Sequence, residues 1–107
     1  ENIYPREIEE FLHHHEKIAD VYIVGVPDIK YGEELCAWVK TKPGLAMTEQ
    51  DVKDFCKGKI AHFKIPRYVM FVNDFPINIS GKIMKFKMRD ESIKALGLEE
   101  ANHIETA

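Results

Sequence analysis

Two stretches, Asp20-Val21-Tyr22-Ile23-Val24-Gly25-Val26 and Glu34-Leu35-Cys36-Ala37-Trp38-Val39-Lys40-Thr41, decide the fold. Both are rich in residues that suit a pleated surface, and the segment between them, from Pro27-Asp28 through Gly32, reads as a turn or loop. The two therefore read as a hairpin. The second stretch is apolar on both of its sides, Leu35-Cys36-Ala37-Trp38-Val39, as a strand covered on both faces must be. It is expected at the centre of the sheet. Lys42-Pro43-Gly44 ends it.

Upstream, residues 5–15 are expected to be helical, because Ile8, Phe11, Leu12 and His15 recur at i, i+3, i+4 and i+7. Pro5 suits the first helical position, and Glu7, Glu9 and Glu10 favour the positive end of the helix dipole. Downstream, a second helix starts at Thr48. There Thr48 and Asp51 resemble a capping box, and Met47 and Val52 sit where a hydrophobic staple would pair them. Val52, Phe55, Cys56 and Ile60 mark its buried face. Gly58 weakens its end, and Pro66 forbids continuation. Residues 68–72 read as a third strand. Residues 85–96 read as a charged helix with a thin apolar stripe (Phe86, Ile93, Leu96), stopped by Gly97. The order α-β-β-α-β-α implies an α+β fold: a small mixed three-stranded sheet with about three packed helices. Residues 1–98 form the domain, and residues 99–107 are expected to be a polar, disordered tail.

A chain of 107 residues, 45% hydrophobic and 31% charged, has the make-up of one soluble globular domain. A net charge of −3 provides no basic field to draw nucleic acid or an acidic membrane. No run is long and apolar enough to span a bilayer, and no signal peptide is visible. Cys36 and Cys56 form no Cys-x-x-Cys pair and lie in apolar segments, so they read as buried free thiols of a reducing compartment. A cytoplasmic location is expected, or the mitochondrial matrix for a eukaryotic parent. The chain opens with Glu1 already inside a motif and reads as an excised piece of a longer protein.

Most groupings of reactive residues dissolve on geometry. His13, His14 and His15 occupy consecutive helix positions, point in different directions and cannot all face one ion. The pairs Glu9-Glu10 and Glu33-Glu34 read as solvated for the same reason. No Cys/His set has zinc spacing, and no serine sits in a nucleophile elbow, so no metal site is expected. One stretch remains: Phe75-Pro76-Ile77-Asn78-Ile79-Ser80-Gly81-Lys82-Ile83-Met84-Lys85-Phe86. Gly81 can take backbone angles closed to other residues, and Pro76 fixes its own φ. A loop built this way can hold the Lys82 ammonium, with its three donors, at a defined place facing phosphate or carboxylate oxygens. It is not a phosphate-cradling P-loop, which needs Gly where Pro76 stands and Ser or Thr where Ile83 stands.

The longer wording is specific. Pro76-Ile77-Asn78-Ile79-Ser80-Gly81-Lys82-Ile83-Met84-Lys85, preceded by Phe63-Lys64-Ile65-Pro66-Arg67-Tyr68, resembles the C-terminal end of adenylate-forming ligases. These are the acyl-CoA synthetases, luciferases and peptide-synthetase adenylation enzymes. Glu1-Asn2-Ile3-Tyr4-Pro5-Arg6-Glu7-Ile8-Glu9 is similar to the family segment just after the hinge between the two domains. The blocks follow the family order, and Cys56-Lys57-Gly58-Lys59-Ile60 with Phe63-Lys64-Ile65-Pro66 is most similar to medium-chain fatty acyl-CoA ligases.

The resemblance implies the mobile C-terminal domain of an ATP-dependent fatty acyl-CoA ligase. Such an enzyme turns a carboxylate and ATP into acyl-AMP, then passes the acyl group to CoA. The partner is the enzyme's own N-terminal adenylation domain, and the fragment alone would be inactive. Lys82 would be the catalytic and ATP-binding residue, touching the substrate carboxylate and the α-phosphate, with Ser80 and Gly81 supporting its loop. Glu1 and Asn2 would help bind CoA, although some relatives carry arginine at the Asn2 position. Lys57, in a local cluster with Lys59 and Lys64, would meet the phosphate-bearing end of CoA. Lys85, Lys87 and Arg89 read as a solvated helix face. Mg²⁺ would come with ATP, held mainly by the N-terminal domain, which also contains the acyl pocket. The implied fold is the same α+β domain; the family adds a short extra hairpin near the hinge, which a fragment starting here can lack. The alternative is a free-standing α+β module that binds an anionic ligand or partner through Lys57 to Lys64. Against it stands the opening block, which makes sense as a continuation of an upstream chain.

Overall fold

The computed structural model describes residues 4–101. In chain order it forms α1 (Pro5–His13), β1 (Ile18–Asp28), β2 (Gly32–Thr41), α2 (Glu49–Cys56), a 3-10 turn (His62–Lys64), β3 (Tyr68–Phe71) and α3 (Lys85–Ala95). The three strands make one sheet in the order β1-β2-β3. The hairpin pairs β1 and β2 antiparallel, with Val24 opposite Cys36. β3 joins β2 in parallel, with Val69 opposite Ala37. The sheet is mixed and β2 is its centre, as the five consecutive apolar residues Leu35 to Val39 require.

Side chains alternate along each strand and sort into two cores. On the first face, Val21, Ile23, Leu35, Ala37, Val39 and Val69 meet Ile8 and Leu12 of α1 and Val52 and Cys56 of α2. On the second face, Val24, Val26, Cys36 and Trp38 meet Met88 of α3, with Phe75 and Ile83 packed against them. Each buried aliphatic side chain here contributes about 1.5–3 kcal/mol. The second core also holds a polar relay. The Trp38 indole N–H donates to Ser92 Oγ at 2.7 Å, and the Ser92 hydroxyl donates to the Met88 carbonyl at 2.7 Å. Both groups are satisfied away from water, as buried polar atoms must be.

The helix ends follow local chemistry. Thr48 Oγ1 accepts from the Asp51 N–H and Asp51 Oδ2 accepts from the Thr48 N–H, completing the expected capping box. Met47 packs against the same core as Val52. At the end of α3 the Leu98 N–H donates to the Ile93 carbonyl and the Gly97 N–H to that of Lys94. That Schellman closure puts Gly97 at φ +69°.

Several expectations need correction. α1 stops at His13 rather than at residue 15. The N–H groups of His14 and His15 bond to the carbonyls of Phe11 and Leu12, tightening the turn, and the His15 ring accepts the Lys17 N–H, leading the chain into β1. Phe86 is 63% exposed, not part of a buried stripe. Met88, Ser92 and Ile93 are the buried residues of α3, and the polar Ser92 disguises that stripe. Glu9 is not solvated. Its side chain is 14% exposed, and Oε2 accepts the Ile23 N–H at 2.8 Å and the Lys85 ammonium at 2.7 Å. Most of the expected tail lies outside the described residues, but residues 99–101 are helical and Ala101 is buried. Both thiols are free and buried, and burial pushes the pKa of each up to about 11.

Candidate functional site

After β3, the Val72 N–H donates to the Val39 carbonyl, extending the parallel ladder, and the chain then crosses the second face. Phe75 anchors it there, its ring edge-on to Tyr22 with centroids 4.9 Å apart. Pro76 to Met84 then form a small projecting hairpin. The Met84 N–H donates to the Pro76 carbonyl at 2.9 Å, Ile77 bridges Ile83 antiparallel, and the Asn78 N–H donates to the Lys82 carbonyl at 2.9 Å. The tip closes through the Gly81 N–H to the Asn78 carbonyl at 2.9 Å, with Gly81 at φ +83°, where a Cβ would be strained. Asn78 Oδ1 accepts from both the Ser80 and the Lys82 N–H groups, each at 2.9 Å.

Lys82 leaves this tip exposed. Among the described residues no carboxylate pairs with its ammonium. Four other basic groups are tied inside the domain: Lys53 to Glu49 at 2.8 Å, Lys64 to Glu7 at 3.0 Å, Lys85 to Glu9 at 2.7 Å and Arg67 to Glu34 at 3.9 Å. Exposed apolar residues lie near Lys82 in the chain instead. Ile79 at the tip is 105% exposed, Ile77 on the near arm 54% and Phe86 just beyond 63%.

The remaining predicted residues do not join Lys82. Lys57 is exposed at the C-terminal end of α2, which packs on the first face, so the sheet lies between it and the Lys82 hairpin. The expected cluster around it is dispersed. Lys64 turns to Glu7, and the Lys59 ammonium lies 5.1 Å from the centre of the Phe55 ring. Glu1 and Asn2 lie outside the described residues. Ser80 and Gly81 do shape the tip.

Two features were missed by reading the sequence. Asn78 carries more of the loop's hydrogen bonds than Ser80 or Gly81, and an Asn two residues before a serine N–H is a recognisable side-chain turn signal. On the α2 side of the molecule, Tyr31, Phe63, Lys53, His62 and Arg67 line a groove of about 530 Å³ together with Glu33 and Glu34. Its members come from the β1–β2 turn, the start of β2, α2 and the segment before β3, so no local pattern could announce it.

This arrangement of mixed sheet, projecting Gly-Lys hairpin and flanking helices has relatives. The profile of the family described as AMP-binding enzyme C-terminal domain matches residues 7–82. The chain belongs to that family. It is 55% identical over 98 residues to YngI of Bacillus subtilis, covering 92% of this chain and 18% of that protein. It is 54% identical over 98 residues to the mitochondrial medium-chain acyl-CoA ligase of Danio rerio, covering 92% of this chain and 16% of that enzyme. Among solved structures, apo MatB from Rhodopseudomonas palustris superposes with a TM-score of 0.82 at 34% identity, over 86% of this chain and 18% of MatB. This AMP-binding C-terminal domain thus spans less than a fifth of the length of the relatives it matches. Among its described residues, no helix is long and apolar enough to cross a membrane.

Proposed function

We propose that this domain serves the two half-reactions of an ATP-dependent acyl-CoA ligase by presenting a different face to each. The observation that carries the reading is Lys82: an ammonium without a carboxylate partner among the described residues, on a braced hairpin with an apolar collar. When a carboxylate attacks the α-phosphorus of ATP, two anions approach and negative charge shifts toward the departing pyrophosphate. An ammonium held there, shielded from water, offsets the repulsion and favours the transition state. With no carboxylate partner among the described residues, Lys82 gives up no ion pair there to do so. Ile77, Ile79 and Phe86 suit a surface that is covered, and dried, when the tip enters the pocket of a preceding adenylation domain.

Turning about a hinge upstream would withdraw Lys82 and bring round the first face for transfer to CoA. There Lys57 offers a cation to a CoA phosphate. The groove offers the exposed rings of Tyr31 and Phe63 to an adenine base. Glu1 and Asn2 belong to this second arrangement in our reading. Mg²⁺ would travel with ATP, bound by the preceding domain. Among the described residues no three His, Cys, Asp or Glu side chains are grouped to hold a metal ion. A medium-chain fatty acid is the proposed acyl substrate, following the Danio rerio relative. The compartment is proposed to be a reducing one, cytoplasm or mitochondrial matrix, in keeping with two unpaired thiols.

The test is Lys82→Ala in the full-length enzyme, followed in single turnover. Acyl-AMP formation, read as pyrophosphate release, should fall by about 10²–10³, the effect of losing one preorganised electrostatic group. AMP release from supplied acyl-AMP plus CoA should stay at the wild-type rate. Equal loss in both steps would sink the alternation.

A further inference from the structure

We infer that Asn78 is the positioning residue for Lys82. The inference rests on the proposed role of Lys82 in adenylate formation and names what makes that role possible. The Lys82 peptide is gripped on both sides by one residue. Its N–H donates to the Asn78 side-chain Oδ1, and its C=O accepts from the Asn78 backbone N–H, both at 2.9 Å. The same Oδ1 takes the Ser80 N–H, and the Asn78 carbonyl takes the Gly81 N–H.

Below the tip only the Met84 N–H to Pro76 carbonyl bond and the Ile77–Ile83 bridge brace the arms, among the described residues. Residues 77–82 are all exposed, so no core packing fixes them. The Lys82 side chain has four sp³ torsions before its ammonium is reached, and any play in its backbone is carried out to the charge. The Asn78 amide therefore does for an exposed loop what a buried side chain does elsewhere. It sets the starting point and direction of the lysine before the pocket is entered. A misplacement of about 1 Å in a reacting array can cost about 10²-fold in rate.

Alanine at position 78 retains both backbone bonds and removes both side-chain ones, so the tip keeps its path but loses its brace. Threonine retains a hydroxyl acceptor that makes the same local turn more weakly. The expected order for adenylate formation is wild type, then Asn78→Thr, then Asn78→Ala.

The experiment uses the full-length enzyme, with both half-reactions measured in single turnover for Lys82→Ala, Asn78→Ala and Asn78→Thr. Asn78→Ala should slow pyrophosphate release by about 10- to 100-fold, less than Lys82→Ala does, and Asn78→Thr should recover most of that loss. Thioester formation from supplied acyl-AMP and CoA should be unaffected in all three, and the thermal midpoint should hold. Wild-type adenylation by Asn78→Ala overturns the inference. So does equal loss in both half-reactions, or failure of Asn78→Thr to restore the rate, since either would make Asn78 a general structural residue. If Lys82→Ala itself slows both steps equally, the proposed function falls and the role of Asn78 falls with it.

Discussion

The two faces of the sheet are built differently. The first is closed by two helices, one with a complete capping box, and the Lys64–Glu7 and Lys53–Glu49 pairs are made within the domain. The second is covered by one helix and by the irregular passage that carries the Lys82 hairpin, whose cation and apolar collar look outward. A domain that only had to fold would treat both faces as it treats the first. The second face gives up local closure to display a group, and the short backbone ladder of the hairpin replaces the missing core support.

That contrast can be tested from its strongest point to its weakest. Trp38→Ala removes the largest side chain under the second face and leaves Ser92 without its donor. It should cost about 3–5 kcal/mol in urea unfolding. A loss near 1 kcal/mol would mean that the hairpin passage contributes more to that core than the contacts around Met88 suggest. Lys57→Ala in the full-length enzyme probes the first face. One charge-assisted phosphate contact is worth about 1.5–3 kcal/mol. KM for CoA should therefore rise about tenfold or more while pyrophosphate release is spared. An unchanged CoA dependence would return Lys57 to the solvated surface and leave the first face purely structural. Thr48→Ala should lower stability by about 1 kcal/mol, seen as a reduced denaturation midpoint with no change in either half-reaction. The other half of the box, the residue 48 N–H donating to the Asp51 carboxylate, survives the substitution and should weaken in acid in both proteins. The hydrogen bonds from Thr48 hold the Asp51 carboxyl below its usual pKa of 3.8, so the carboxylate's part of the box is present above the unfolded pKa and is lost as pH falls through the folded one.

Features written in adjacent residues were legible. Leu35 to Val39 announced a central strand, Thr48 and Asp51 a cap, Gly97 a helix stop, and the wording around Lys82 its family. What escaped joins residues far apart in the chain. Glu9 reads as one of two solvated acids until Lys85, 76 positions away, closes on it. Ser92 reads as a gap in an apolar stripe until Trp38, 54 positions away, donates to it. Phe86 carried the opposite error: helical spacing placed a phenylalanine in a core, whereas the turn of chain before α3 leaves it beside the hairpin. The site divided in the same way. Lys82 could be named from its neighbours, whereas the groove of Tyr31, Lys53 and Arg67 needed three segments folded together.

The carboxylate of Glu9 has one more consequence. β1 is a border strand, with β2 on one side only, and its outward amides could recruit a strand from another molecule. Two of them are already taken: the Ile23 N–H by Glu9 and the Val21 N–H by Asp20 Oδ1 at 2.9 Å. Lys85 then lays a charge across the same border. In the proposed alternation the domain spends part of each cycle undocked, with apolar Ile79 bare at one end. Blocking the sheet's open border allows that interval to pass without one enzyme adding itself to the next.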